Sequence, residues 1–385
     1  MGRFRDALSA SGLQGIAEVK RRSPSAGELR AGADPAALAA SYERVGAAAI
    51  SILIDARFDG SWDDLRAARS AARLPLLAKG FFSTDEDLRI AREAGADAAL
   101  LILRDLGDET ARRLLVVASD LGLDTLVEAH NPEELARATR LDAPVIGINA
   151  RDLATFAIDR LAQLALVASA PHGRIIVAES GIESRAQGAA AELAGADAIL
   201  VGSALMRATD PAQKLAELLS RPLVKVCGLT RAEDVAAAAE AGADLAGFVL
   251  AEGSPRRAQG VLSVPETMLT VSVEVGELSG AEADLVQLYP REAGKVRGRD
   301  AVLLREGREV AKVLDLPWQE SDPAHLERAR AAKGRVMLAG GLGSDNVRAA
   351  IDAVRPWAVD ASSALESVPG VKDHELVRAY VEAAR

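Results

Sequence analysis

The chain has 385 residues, 49% hydrophobic and 26% charged, enough to bury two or three domain cores and far from a disordered composition. Its 46 basic and 56 acidic residues leave a net charge of −10, which argues against a general polyanion binder, and 3% aromatics disfavours a base-stacking surface. One cysteine, Cys227, excludes an intrachain disulfide and points to a reducing compartment; the four scattered histidines match no metal-ligand spacing.

From the N-terminus, Arg3 and Arg5 lead into an amphipathic stretch without the apolar core of a signal peptide. No later run approaches roughly 18 apolar residues, so a cytoplasmic protein with no membrane span is expected. A phrase then recurs along the chain. It reads ERVGAAAISIL at Glu43–Leu53, AREAGADAALLIL at Ala91–Leu103, AELAGADAILVGS at Ala191–Ser203 and AAEAGADLAGFVL at Ala238–Leu250. Each copy closes an Ala-rich helix at a glycine able to take the left-handed C-cap conformation, then enters a short apolar run of buried-strand character. Helix, turn and buried strand, repeated, describe a parallel β/α fold.

Eight such runs fall in the first half: Ile16–Lys20, Ala48–Leu53, Leu74–Lys79, Ala98–Leu103, Thr125–Ala129, Val145–Asn149, Ile175–Ser180 and Ile199–Ser203. Eight units with room for a helix between strands predict a closed (β/α)8 barrel, and no GxGxxG follows a strand to favour a dinucleotide fold. After Arg221-Pro222 the rhythm restarts. The runs are Leu223–Cys227, Ala246–Leu250, Thr270–Val275, Leu285–Leu288, Ala301–Leu304, Lys312–Leu314, Val336–Ala339 and Ala358–Asp360. Only seven residues separate Leu304 from Lys312, too few for a parallel crossover of about a dozen. Either a middle strand is misassigned, or this barrel has lost helices on one side.

In a β/α barrel the chemistry sits at the carboxyl ends of the strands. Here those ends carry Glu18 and Lys20, Lys79, Glu128, Asn149 and Arg151, Glu179-Ser180-Gly181 and Gly202-Ser203. Each charge alone reads as a rim residue or a structural ion pair. Their coincidence at one end of six strands points to a site with acid, base and electrostatic stabilisation. Gly181 and Gly202-Ser203, after strands seven and eight, fit a phosphate cradle of backbone N–H groups.

The segments IAEVKRRSPSAG, LLAKGFF, LVEAHNPEELARA, VIGINARDL, VAESGI and ILVGSALM, in this order over residues 4–218, closely resemble indole-3-glycerol-phosphate synthase of tryptophan biosynthesis. The resemblance implies closure of an indole ring on 1-(2-carboxyphenylamino)-1-deoxyribulose 5-phosphate with loss of CO2 and water, without a cofactor. It makes Lys79 the general acid of ring closure, Lys20 the second proton-donating lysine and Glu128 the glutamate of dehydration. Glu18, Asn149, Arg151, Glu179 and Ser180 would hold the anthranilate and ribulose groups, and Ser23, Gly181, Gly202 and Ser203 the phosphate. Phe58 and Phe81 would line the aromatic pocket. A lysine desolvated at this site would be tuned to give up its proton near neutral pH. Two departures stand out: Gly80 replaces the family's Asp, an orienting partner for Lys79, and the loop IDARFDGS is short.

The second half resembles phosphoribosylanthranilate isomerase over residues 223–384, through VKVCGLT, SPRR, VQLY, VLD, LAGGL and VDASSALESVPGVKD. A lone buried cysteine is ordinarily a small hydrophobe. The resemblance instead makes Cys227 the general base and Asp315 the general acid of an Amadori rearrangement. Arg256 would meet the anthranilate carboxylate, and Gly340-Gly341 with Ser362-Ser363 would cradle phosphate. The family's Gly-rich segment after its catalytic Asp is absent, since Asp315 precedes Leu316-Pro317-Trp318-Gln319-Glu320; its QLHG reads Gln287-Leu288-Tyr289-Pro290.

The expected architecture is two tandem (β/α)8 TIM barrels, 1–221 and 222–385, the second shortened with helices missing or reduced in its middle. The expected function is a bifunctional enzyme acting on small phosphorylated substrates as a monomer, with no nucleic-acid or membrane partner. The alternative is a synthase carrying a structural or phosphate-binding second barrel.

Overall fold

The computed structural model describes residues 2–385 except 25, 153–154, 293–296 and 317–319. Ser25 and the Pro317-Trp318-Gln319 stretch after Asp315 therefore lie outside the described residues. The chain divides into two compact units, Met1–Glu183 with Gly188–Leu219, and Ser184–Gln187 with Ser220–Arg385.

Apolar runs without alternation become strands covered on both faces, as parallel barrel strands must be. In the first unit they are β1 (Gln14–Val19), β2 (Ala49–Leu53), β3 (Leu76–Lys79), β4 (Ala98–Ile102), β5 (Asp124–Ala129), β6 (Val145–Asn149), β7 (Ile175–Glu179) and β8 (Ala198–Val201). All neighbours pair in parallel, and β8 returns to β1 to close the ring. Helices α1 (Arg3–Leu8), α2 (Pro35–Arg44), α3 (Trp62–Ala71), α4 (Asp85–Glu93), α5 (Asp108–Asp120), α6 (Pro132–Arg140), α7 (Arg160–Ala168), α8 (Arg185–Ala194), α9 (Ser203–Arg207) and α10 (Pro211–Leu219) complete it. Their starts are written locally. Ser61 with Asp64 and Thr84 with Asp87 form reciprocal capping boxes, while Asp34 and Asn131 cap helices that open on proline.

The repeated phrase has a structural cause at both of its ends. Gly46, Gly95, Gly195 and Gly242 all take positive φ just after their helices, a turn that a side chain would strain. The aspartate of each AGAD then reaches back to the start of the preceding strand. Asp97 accepts the N–H of Leu76 at 2.9 Å, Asp197 that of Ile176 at 2.8 Å and Asp244 that of Val224 at 2.8 Å. These carboxylates tie adjacent strands together at the end of the barrel opposite the chemistry.

The second unit also closes through eight strands: β9 (Leu223–Cys227), β10 (Leu245–Val249), β11 (Leu269–Val275), β12 (Leu285–Tyr289), β13 (Ala301–Arg305), β14 (Arg308–Leu314), β15 (Val336–Leu338) and β16 (Ala358–Ala361). Both sides of the alternative posed by the short spacing are resolved. All eight runs form strands, the sixth starting at Arg308 rather than Lys312, and helices are missing: the only α-helices among the described residues are α11 (Ala232–Ala241), α12 (His325–Ala331), α13 (Val347–Val354) and α14 (His374–Ala384). One strand is also reversed. β13 pairs antiparallel with both β12 and β14, so a two-residue turn at Glu306-Gly307, both at positive φ, replaces a crossover helix. A shallow groove lined by Leu288, Pro290, Val302 and Lys312 runs over the uncovered outer face of these strands and includes none of the expected isomerase residues.

Candidate functional site

At the mouth of the first barrel five charged side chains turn inward: Glu18, Lys20, Lys79, Glu128 and Glu179. The Lys79 ammonium from β3 lies 2.8 Å from Glu179 Oε2 and 3.1 Å from Glu18 Oε2, and Lys20 lies 2.7 Å from Glu18 Oε1. All three glutamates are buried, Glu179 completely. Burial alone would raise the Glu18 carboxyl, but Lys20 and Lys79 overcome it and bring it to about 2. Glu179 is different: burial, with Glu128 and Glu18 nearby, outweighs Lys79 and pushes it up to about 7. Glu128 is held below its usual range against burial, first by His130 and then by Lys79. His130 lies 3.1 Å from Glu128 and 2.9 Å from Glu134, and these carboxylates carry the imidazole up to about 9 against the cost of burial.

The expectation that desolvation tunes Lys79 toward neutral pH is corrected here. Burial does push its ammonium down, but Glu179, Glu18 and Glu128 push harder, and Lys79 ends above the ordinary lysine value. In this state it is a firmly charged, firmly positioned ammonium.

Glu18, Lys20, Lys79, Glu128, Asn149, Arg151, Ser180, Gly181, Gly202, Ser203, Phe58 and Phe81 line one cavity, walled on its apolar side by Leu53, Leu100, Ile102 and Leu200. Glu179 sits beneath that lining and acts on it through Lys79. Ser23 is buried apart from the lining, its hydroxyl accepting the N–H of Ala26 at 3.1 Å. Ser180 takes a left-handed backbone at φ 70°, a strained conformation next to Glu179. In the short loop after β2, the Arg57 guanidinium lies 3.9 Å over the ring of Phe81, which remains 44% exposed.

Two features escaped the sequence reading, and a third, Gly80, finds its explanation. Arg207 lines the cavity and pairs with Glu183 at 3.3 Å; its position four residues after Ser203 on α9 was the available signal. Gly147 on β6 leaves room for Glu179, since a Cβ there would stand 2.1 Å from Glu179 Oε1. At Gly80 a Cβ would stand 2.7 Å from Ile54, so the Ile54 side chain occupies that space while Glu18 and Glu179 orient Lys79.

In the second barrel Cys227 closes β9, Asp315 follows β14, Arg256 lies in the loop after β10, and Gly340-Gly341 and Ser362-Ser363 follow β15 and β16. All share the carboxyl-end face. Cys227 is buried, and burial raises its thiol against the opposing pull of Lys225. Gly247 makes room for it: a Cβ there would stand 2.8 Å from Cys227 Sγ. Asp315 is pushed up by burial despite Arg297 at 2.8 Å and the Tyr289 hydroxyl at 2.5 Å. Arg256 is engaged by Glu366 at 2.8 Å, which Lys372 also contacts at 2.9 Å. Among the described residues no cluster of His, Cys, Asp and Glu could hold a metal, and no helix is long and apolar enough to cross a membrane.

Comparison with known proteins assigns both halves. Residues 2–218 match the family described as indole-3-glycerol phosphate synthase. Residues 320–383 match the N-(5'phosphoribosyl)anthranilate isomerase family, a stretch that holds Gly340 and Ser362 but not Cys227 or Asp315. The tryptophan biosynthesis protein TrpCF of Yersinia pestis is 34% identical, with 99% of this chain and 87% of that protein aligned. A multifunctional tryptophan biosynthesis protein of Phycomyces blakesleeanus is 32% identical over 96% of this chain, which spans 62% of that longer protein. A solved TrpF structure from Jonesia denitrificans is 29% identical, covers 43% of this chain and 97% of its own, and has a TM-score of 0.34. With a synthase-family barrel followed by an isomerase-family one, and a relative aligned along nearly the whole length, this chain belongs to the family of bifunctional indole-3-glycerol phosphate synthase/phosphoribosylanthranilate isomerases of tryptophan biosynthesis.

Proposed function

We propose that residues 1–221 carry the synthase reaction and 222–385 the isomerase reaction, each at the carboxyl-end face of its barrel, in a monomeric cytoplasmic enzyme. The observation that carries the synthase assignment is the Lys79 ammonium held between Glu18 and Glu179 at a cavity that Lys20 and Glu128 also line. Lys79 protonates the substrate's ribulose carbonyl oxygen as the aromatic carbon attacks, and CO2 then departs as its electron pair restores the ring. Glu128, kept ionised by His130, takes the proton released in the dehydration phase, while Lys20 protonates the departing hydroxyl. Arg151 and Asn149 face the anthranilate carboxylate, Phe58 and Phe81 its ring, and Gly181, Gly202 and Ser203 the phosphate, with Ser23 bracing the loop after β1.

In the second barrel Asp315 gives a proton to the furanose oxygen to open the ring, and Cys227 removes the C2 proton. Arg256 turns from Glu366 to the anthranilate carboxylate, and Gly340-Gly341 with Ser362-Ser363 hold the phosphate. The purified chain, supplied with N-(5-phosphoribosyl)anthranilate alone, is expected to release indole-3-glycerol phosphate. Failure on that substrate, with turnover retained on the isomerised one, would overturn the isomerase half.

The Glu179 carboxyl supplies a second check. Its folded pKa of about 7 lies above the ordinary value of 4.5, so folding takes up a proton there. Below pH 4.5 both states are protonated and ionisation costs nothing; the cost grows as pH rises to about 7 and is full above it. Denaturant unfolding at pH 5 and pH 8 should therefore show Glu179→Gln gaining stability relative to wild type as pH rises. A difference that does not change with pH would contradict the assigned shift.

A further inference from the structure

Beneath the isomerase mouth runs a buried line of polar groups that joins the two reacting residues. Taking Asp315 as the acid of the isomerase reaction, as proposed above, we infer that Tyr289 is a positioning residue for it. Its phenol ends a one-way chain of donors from Lys225 through Gln287, orienting the Asp315 carboxyl and stabilising it as its proton leaves.

The direction of the chain follows from what each group can do. Lys225 is wholly buried, and its ammonium, with no acceptor, donates to Asp360 Oδ2 at 2.8 Å and to Gln287 Oε1 at 2.6 Å. That contact fixes the Gln287 amide, because the flipped form would set its NH2 against the ammonium. The amide nitrogen is thereby aimed at Tyr289 and donates to the phenol oxygen at 2.7 Å. With its oxygen accepting, the phenol spends its one proton on Asp315 Oδ2 at 2.5 Å. Burial, and then Asp315 itself, keep that phenol protonated. The same lysine lies against Cys227, so one buried cation underlies both the base and the acid.

Among the described residues, Arg297, Asp300 and Asp360 are the other charged groups that act at Asp315. Arg297 contacts Oδ2 at 2.8 Å and lies 4.2 Å over the Tyr289 ring, bracing the phenol from the opposite side. Leu316 N–H donates to Oδ1 at 2.6 Å, Asp300 accepts the Asp315 N–H at 3.1 Å, and Asp360 opposes ionisation from across the barrel. When Asp315 protonates the furanose oxygen, the C1–O bond breaks with its electrons on that oxygen, and the nitrogen lone pair forms the C=N bond. Cys227 then takes the C2 proton. Tyr289 keeps its own proton throughout; its hydrogen bond strengthens as charge grows on Oδ2, and that gain occurs during the proton transfer itself.

The test is Tyr289→Phe, which removes only the hydroxyl. Isomerase kcat should fall about 10- to 100-fold, the range for losing a hydrogen bond to a charged group, with KM changed less than about twofold. Without that donor Asp315 holds its proton to higher pH, so the basic limb of the kcat profile should move upward. Tyr289→His, which restores an N–H donor, should recover most of the rate and the wild-type limb. Synthase turnover, measured on the same samples, should not change. An unchanged kcat and basic limb in Tyr289→Phe would overturn the inference. So would a fall in kcat with no movement of the limb and no recovery in Tyr289→His, since that pattern is lost packing. Asp315→Asn separates the underlying reading: if it retains isomerase turnover, Asp315 is not the acid, whatever Tyr289 does.

Discussion

Replacing Lys79 with alanine should stop indole formation while the isomerase step continues at its wild-type rate. Lys79 is the cation that two buried carboxylates, Glu18 and Glu179, share within 3.1 Å, and Glu128 adds to the same field. Its removal takes away the proposed proton donor, ordinarily about 10²–10⁴-fold in rate, together with the charge that orients both carboxylates. Synthase kcat is therefore expected to fall by at least ~10³-fold. The variant should also be less stable, because breaking a buried ion pair from one side costs about 3–5 kcal/mol. Lys79→Met, which keeps the aliphatic stem, should recover part of that stability and none of the rate. A synthase rate unaffected by either change would remove Lys79 from the mechanism.

Cys227→Ala should do the converse. Its thiol, raised by burial and offset by Lys225, is the one group of its kind in the chain. A base is needed to take a carbon-bound proton, and alanine supplies none; Cys227→Ser supplies a far weaker one. Both variants should lose isomerase turnover by ~10³-fold or more, while substrate isomerised beforehand is still converted to indole-3-glycerol phosphate. Following each half-reaction separately decides the matter, and isomerase turnover persisting in Cys227→Ala would remove the thiol from the reaction.

Much of the architecture was legible because buried parallel strands are written as unbroken apolar runs. Val145–Asn149 and Leu223–Cys227 have the same bounds in the sequence reading and in the structure. Strand direction is not written that way. Nothing in Ala301–Arg305 distinguishes a reversed strand from a parallel one, and the only trace was the short gap to the next run. The residues gathered at the first mouth were visible because charge inside a buried strand is costly and needs a reason. Their mutual effects were not, since they depend on distances across the barrel. Three carboxylates facing Lys79 make it more basic rather than less, and a missing side chain at Gly147 gives Glu179 its place. The link from Gln287 through Tyr289 to Asp315 was equally hidden: it joins side chains 26 residues or more apart along the chain at its acid end.

The reversed strand also bears on how the second barrel assembles. Parallel strands meet only after a long intervening segment has been ordered, and the entropy of closing that segment must be met before the pairing contributes anything. β13 and β14 are exempt, because a two-residue turn brings them together and hairpins of this kind form in about 1–10 μs. Asp315 lies immediately beyond β14, and the Arg297 segment immediately precedes β13. A hairpin that closes locally thus carries Asp315 and the cation that contacts it toward one another without waiting on a long crossover.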